Sequence, residues 1–184
     1  MVKNYTIDIL QELSQAAPKI KPDELDKMAT KILSANHIFL AGAGRSGVAI
    51  QAFANRLLHL GFDESVVGEI SSPHSQPGDL LIICSGSGET TSLKNLAQSA
   101  KQAQVQLALI TTKPASTIGQ LADQVLVLPG KDKTEAATED AFSQPMGSEF
   151  EQLAFLTFDG LIMNLMDKTG ETSATMFARH ADFE

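Results

Sequence analysis

The 184-residue chain has one cysteine, no tryptophan and one tyrosine. A single thiol cannot close an intrachain disulfide and rules out a zinc site built from cysteines. Cys84 ends an apolar run, where cysteine behaves as a small hydrophobe, and that reading is preferred to a nucleophilic one. Nine phenylalanines are the only other ring hydrocarbons, so the core must be mainly aliphatic. Positive charge is also short, with 14 basic against 22 acidic residues and a net charge of -8. That leaves no basic footprint for nucleic acid. An anionic ligand would have to be drawn in by local N–H groups and a few cations, against the overall field. No stretch approaches the roughly 20 apolar residues of a membrane-spanning helix. The opening MVKNYTIDILQEL carries acids where a signal peptide needs an unbroken apolar core. A cytoplasmic protein with no membrane partner is therefore expected.

What is present describes one domain over 1–184. Hydrophobic residues make up 43% and charged residues 20%, ordinary values for a globular chain. Ile7, Leu10, Leu13 and Ala17 recur at helical spacing before Pro18, and Pro22 opens a second helix with Leu25, Met28, Ala29, Ile32 and Leu33 on one stripe. These N-terminal helices fill 1–35. Over 37–128 short apolar runs alternate with helical patterns: strands at 37–41, 65–67, 80–84, 105–110 and 125–128, and helices near 46–60, 90–102 and 117–122. Leu80-Leu81-Ile82-Ile83-Cys84 is the clearest buried strand, and Gly61 suits a helix C-terminus. Such alternation favours a parallel sheet covered on both faces; the fold expected is an α/β three-layer sandwich with five strands in flavodoxin-like order 2-1-3-4-5. The polar, aperiodic stretch 129–147 reads as a loop or flap. The helix at 148–168 is apolar around much of its circumference (Phe150, Leu153, Phe155, Leu156, Phe158, Leu161, Ile162, Leu165), which points to a subunit interface as well as a core. Residues 169–184 form a tail.

Two loops carry the chemistry. Ser85-Gly86-Ser87-Gly88-Glu89-Thr90 lies between the best strand and a helix. Its glycines let backbone N–H groups converge, its hydroxyls add donors, and the helix behind it supplies unpaired N–H groups and a favourable dipole. A plain strand–helix turn needs less than this, so an anion cradle is preferred. Gly42-Ala43-Gly44-Arg45-Ser46-Gly47 matches G-x-G-x-x-G after a strand and before a helix. That pattern alone leaves dinucleotide binding open, with Glu69 as the acid for a ribose. A second phosphate-type loop, and Arg45 where such folds need only backbone, favour one sugar phosphate touching both loops. In the order 2-1-3-4-5 the two loops face one crevice at the carboxyl ends of neighbouring strands.

Those two loops, together with Gln144-Pro145-Met146-Gly147-Ser148-Glu149-Phe150-Glu151-Gln152 and the terminal Arg179-His180-Ala181, resemble the SIS-domain sugar isomerases, and within them the 6-phospho-3-hexuloisomerase family. The similarity covers essentially the whole chain. It departs at Asp182-Phe183-Glu184, where Asn-Leu-Glu is more usual, and at 131–143, which matches no family pattern. The resemblance implies interconversion of 3-hexulose 6-phosphate with fructose 6-phosphate through a cis-enediol, in the ribulose monophosphate pathway of formaldehyde fixation. It further implies no cofactor, no metal, and a homo-oligomer, tetrameric by preference.

Moving a carbonyl between C3 and C2 needs a base, and Glu151 is the candidate by chemistry and by resemblance. The competing reading is a capping box, Ser148-x-x-Glu151, in which the carboxylate serves the backbone. His59 and His180 are candidates for moving the hydroxyl proton, His180 in its own or a neighbouring subunit's site. His37 and His74 look unremarkable, and Glu149 reads as a solvated acid at a helix start. The expected substrate and phosphate contacts are Gly44, Arg45, Ser46, Ser85, Gly86, Ser87, Gly88, Glu89 and Thr90. A non-catalytic phosphosugar-binding module and an isomerase of another sugar phosphate share the same loops.

Overall fold

The third strand of the sheet, Leu80–Cys84, is buried along its whole length, as five consecutive apolar residues require when helices cover both faces. In the computed structural model, which describes residues 2–130 and 144–182, this strand (β3) lies at the centre. On one side is β1 (Ile38–Gly42) with the short β2 (Glu64–Val66) beyond it, and on the other β4 (Gln106–Thr111) and β5 (Gln124–Val127). All neighbouring pairs are parallel and the order is β2-β1-β3-β4-β5, as expected. The register of the central pair sets Gly42 opposite Cys84, so the chain leaves β1 and β3 at the same height. The flap expected in 129–147 lies mostly outside the described residues.

One face of the sheet is covered by α1 (Thr6–Ala16), α2 (Pro22–Ser34), α3 (Arg45–Leu60) and α6 (Ser148–Thr169). Met28, Ile32, Leu40, Ile50, Phe53, Ile82, Phe158 and Leu161 fill that layer. Phe53 and Phe158 stack with ring centroids 4.7 Å apart and lock α3 against α6. The other face is covered by α4 (Thr91–Gln102) and the five-residue α5 (Thr117–Leu121), over Phe39, Leu81, Ile83, Leu93, Leu109 and Ile118. Each such side chain, fully buried, contributes about 1.5–3 kcal/mol.

Three details add to the expected picture. Ile7 and Leu10 are exposed, and α1 packs instead through Leu13 and Ala16; helical spacing shows which residues share a face, not whether anything covers it. On α6, Phe155, Leu156 and Met163 are exposed while seven other apolar residues are buried. The tail contains a further helix, α7 (Ser173–Phe177), started by a capping box between Thr172 and Thr175.

Gly42 and Gly47 bring the end of β1 and the start of α3 into backbone contact. A Cβ on Gly42 would stand 2.9 Å from the Cα and N of Gly47 and from the carbonyl oxygen of Ser46, none of which can turn aside. Gly42→Ala is therefore expected to destabilise the protein by about 1–3 kcal/mol, read as a lower urea midpoint at unchanged slope. An unchanged midpoint would mean that this approach is looser than its geometry indicates.

Candidate active site

The site forms where β1 and β3 end. After β1, Gly44 takes φ 59 and ψ -135, a conformation that residues with a Cβ avoid, and serves as N-cap of α3 without any capping side chain. After β3, Ser85 donates its N–H to the carbonyl of Ile110 at 3.0 Å, and its hydroxyl accepts from the N–H of Gly88 at 3.2 Å. Ser87 accepts from the N–H of Glu89 at 3.2 Å. Thr90 is the N-cap of α4, and its hydroxyl makes no capping bond. Gly88 has φ 63 and lies against Ser116, where any Cβ would overlap the hydroxyl.

Support for the Ser/Gly loop comes from the end of β4. The carbonyl of Gly86 accepts from the hydroxyls of Thr111 and Thr112, each at 2.9 Å, and from the N–H of Thr112 at 3.1 Å. Three donors on one carbonyl fix the orientation of its peptide, and with it the loop. Neither threonine was expected; their only sequence signal is a hydroxyl pair at the carboxyl end of a strand, the position shared by the two loops.

The third wall is the start of α6. Met146 and Gly147 both have positive φ, 59 and 75, which turns the chain sharply into the helix. Phe150 then packs against Gly86 and Gly130 so closely that a Cβ on either would meet it at 3.1 Å. Glu151, next in the chain, is 4% exposed, and Arg45 donates from Nε to its Oε2 at 2.5 Å. The guanidinium side of this pair is 64% exposed. The capping-box alternative is not realised: Gly147 is the N-cap of α6, Ser148 donates its hydroxyl to the carbonyl of Pro145 at 2.7 Å, and the Glu151 carboxylate reaches across to α3.

Cys84 reports on the same neighbourhood. Burial pushes its thiol up to about 12, a hydrogen bond with Ser46 opposes the rise, and the negative charge of Glu151 adds to it. Ser46, Cys84 and Glu151 are each buried, and the first and last both act on the thiol.

Three expected residues, Glu89, His59 and His180, have other partners within one chain. The Glu89 carboxylate accepts from the N–H of Thr117 at 2.6 Å, from the Thr117 hydroxyl at 2.9 Å and from Lys94 at 3.2 Å. These bonds, that of the Thr117 backbone foremost, hold its carboxyl below the usual range. Glu89 therefore braces α4 against α5, and a carboxylate so engaged would in any case repel a phosphate. His59 is buried near the carboxyl end of α3, about 20 Å along the helix axis from Arg45 at the ordinary rise per residue. His180 stacks on it with centroids 5.2 Å apart and planes 19° apart. His59 Nδ1 faces Arg56 Nη1 at 3.4 Å, and arginine can only donate, so the neutral ring carries its proton on Nε2. His180 Nδ1 faces the carbonyl of Ala181 at 3.1 Å, which can only accept, so this ring carries its proton on Nδ1. The histidines form a second cluster, apart from Glu151 within one chain.

The chain is similar to known proteins over nearly its whole length. The sequence model of the SIS domain family matches residues 31–148. The chain is 46% identical over 180 residues to a 3-hexulose-6-phosphate isomerase of Bacillus subtilis, covering 98% of this chain and 97% of that one. It is 35% identical to a 3-hexulose-6-phosphate isomerase of Mycobacterium gastri, over 96% and 88% of the two chains. Among solved structures, a protein of Methanococcus jannaschii, whose structure was taken to infer a function of 3-hexulose-6-phosphate isomerase, superposes with a TM-score of 0.77 at 31% identity over 88% of this chain and 86% of that one.

The environment of Cys84 is open to direct test. A thiol raised to about 12 is protonated at pH 8 and shielded. A disulfide reagent such as DTNB at that pH should leave the native protein unlabelled over hours and label it at once in denaturant. Rapid labelling of the folded protein would contradict the buried placement of the strand end.

Proposed function

The chain belongs to the SIS-domain family and, within it, to the 3-hexulose-6-phosphate isomerases; from this we infer that it interconverts 3-hexulose 6-phosphate and fructose 6-phosphate through a cis-enediol, in the cytoplasm. The observation that carries the reading is the convergence of three helix N-termini on one crevice. α3 begins at Gly44, α4 at Thr90 and α6 at Gly147, each without a capping side-chain hydrogen bond. The buried carboxylate of Glu151 stands among them.

Each helix dipole contributes about 0.3–1 kcal/mol toward an anion at its N-terminus, rising to about 2 where partly buried. Hydrogen bonds must supply the rest. In this reading the phosphate is held by the hydroxyls of Ser85, Ser87 and Thr90 and the backbone of Gly86 and Gly88, with Glu89 contributing no side chain. Gly44, Arg45 and Ser46 form the facing wall. The phosphate thereby anchors the sugar, and the reacting carbons lie toward α6.

Glu151 takes the proton from C2 of the 3-hexulose, the C3 carbonyl becomes a hydroxyl of the enediol, and the same carboxyl returns the proton to C3 as the carbonyl forms at C2. No net redox change occurs, since the hydrogen and the hydroxyl proton only change carbons. Arg45 covers the carboxylate in the free protein. Its exposed guanidinium is the mobile half of the pair, able to turn toward the phosphate or a developing enediolate oxygen and uncover the base.

The hydroxyl proton is assigned to the stacked pair His59 and His180. Their distance from Arg45 along α3 supports a site completed by a second copy of the chain. The exposed apolar side chains Ile7, Leu10, Phe155, Leu156 and Met163 support such a homo-oligomer, a tetramer by preference.

Glu151→Gln tests the assignment. It should leave the fold intact and let a sugar phosphate still raise the melting temperature, while turnover of 3-hexulose 6-phosphate to fructose 6-phosphate falls by about 10²–10⁴-fold, the usual contribution of a positioned base. Near-normal turnover would remove Glu151 from the mechanism. Failure of the unmodified, folded protein to form fructose 6-phosphate would point to another sugar phosphate as substrate.

A further inference from the structure

In the segment after α6, Arg179 bonds the end of α3. Gly170 ends α6 in the left-handed region, and Glu171 follows it. Arg179 donates from Nη2 to Glu171 Oε1 at 3.0 Å and from Nη1 to Glu171 Oε2 at 3.0 Å, a bidentate pair. The same Nη1 donates to the carbonyl of His59 at 3.0 Å and to that of Thr175 at 3.3 Å. The Thr175 hydroxyl donates to Glu171 as well. The guanidinium lies over Gly61, where a Cβ would stand 3.2 Å from Nε. Three elements thus meet on one guanidinium: the end of α3, the start of the tail and α7.

We propose that Arg179, clamped by Glu171, is a positioning residue that docks α7 on the carboxyl end of α3 and so holds the His180 ring against His59. The geometry is direct. Arg179 bonds the backbone of His59, and the next residue stacks on the ring of His59. The contact also answers a local need, because the last carbonyls of a helix lack intrahelical partners and favour a cation. Exposed ion pairs add little to global stability, so the consequence of this one lies in where His180 sits. Arg179 and Thr175 hold the Glu171 carboxyl down to about 2. A carboxyl lowered on folding contributes above its unfolded value and ceases to contribute only as pH falls toward 2, so the clamp is fully charged throughout the neutral range.

The inference rests on the reading that His59 and His180 serve the isomerisation, and the experiment keeps the two apart. The full-length protein is compared with Arg179→Met, Arg179→Lys, His180→Ala and the double variant Arg179→Met/His180→Ala. Steady-state rates on 3-hexulose 6-phosphate and the histidine ring signals in ¹H–¹³C NMR spectra are measured. Arg179→Met should lower kcat roughly 10–100-fold with KM changed less than about twofold, the signature of a misplaced group. Arg179→Lys should not restore it, because an ammonium lacks the planar fork. The double variant should be no slower than His180→Ala, since the arginine acts through the histidine. The ring-current shifts of the stacked imidazoles should disappear in Arg179→Met. Multiplicative losses in the double variant, or ring signals unchanged by Arg179→Met, would overturn the proposal. If Arg179→Met unstacks the rings while His180→Ala turns over normally, the clamp stands and the part given to the histidines falls.

Discussion

The site depends on the parallel pairing of β1 with β3. With Gly42 opposite Cys84, two strands that end at the same level send their chains out side by side. Each then enters a helix within a few residues. Because β1 is followed in sequence by β2 on one side and flanked by β3 on the other, the chain changes direction across the sheet here, the kind of point at which open α/β sheets take ligands. Glycine is required at the base of this arrangement for a steric reason. The backbones of Gly42 and Gly47 are too close to admit a Cβ, and that closeness sets the first turn of α3 against the strand end. Ser46 is thereby brought to Cys84, and Arg45 to Glu151.

A net charge of -8 gives this protein no long-range attraction for a phosphorylated sugar. The crevice compensates locally, with uncapped helix starts and one arginine. In the proposed reaction that solution carries a conflict, because the base assigned there is itself an anion and would compete for the same donors. Arg45 resolves it by pairing with Glu151 while remaining 64% exposed. The buried carboxylate is stabilised in the free protein, and the cation that stabilises it is the group with most freedom to move when a second anion arrives.

Much of this was legible in the sequence. Five consecutive apolar residues define β3, the two glycine-rich loops mark the strand ends, and strand–helix alternation points to a parallel sheet covered on both faces. Less legible were features that depend on tertiary contact. Arg45 and Glu151 are 106 positions apart, and no periodicity connects them. Ser148 and Glu151 have capping-box spacing, yet the left-handed Met146 and Gly147 move the helix start and free the carboxylate for Arg45. Glu89 sits in a loop shaped for an anion, but its own charge sends it to the amino end of α5. Helix α7 is only five residues long, too short for its spacing to stand out, and it is held by the Thr172–Thr175 capping box and by Arg179.

Helix α3 contributes to both clusters, and its length sets the relation between them. Arg45 and Ser46 lie in its first turn, and His59 lies in its last. A rigid helix of this length keeps the two ends about 20 Å apart, farther than a six-carbon sugar phosphate can span. If both clusters act on one substrate, no movement within a protomer can unite them, whereas a second copy set against the first can bring the histidine end of one α3 to the arginine end of another. The exposed apolar side chains of α1 and α6 give such copies a surface on which to meet. On this view the clamp at Arg179 matters beyond its own protomer, because the ring it holds in place would be presented to a neighbour's substrate.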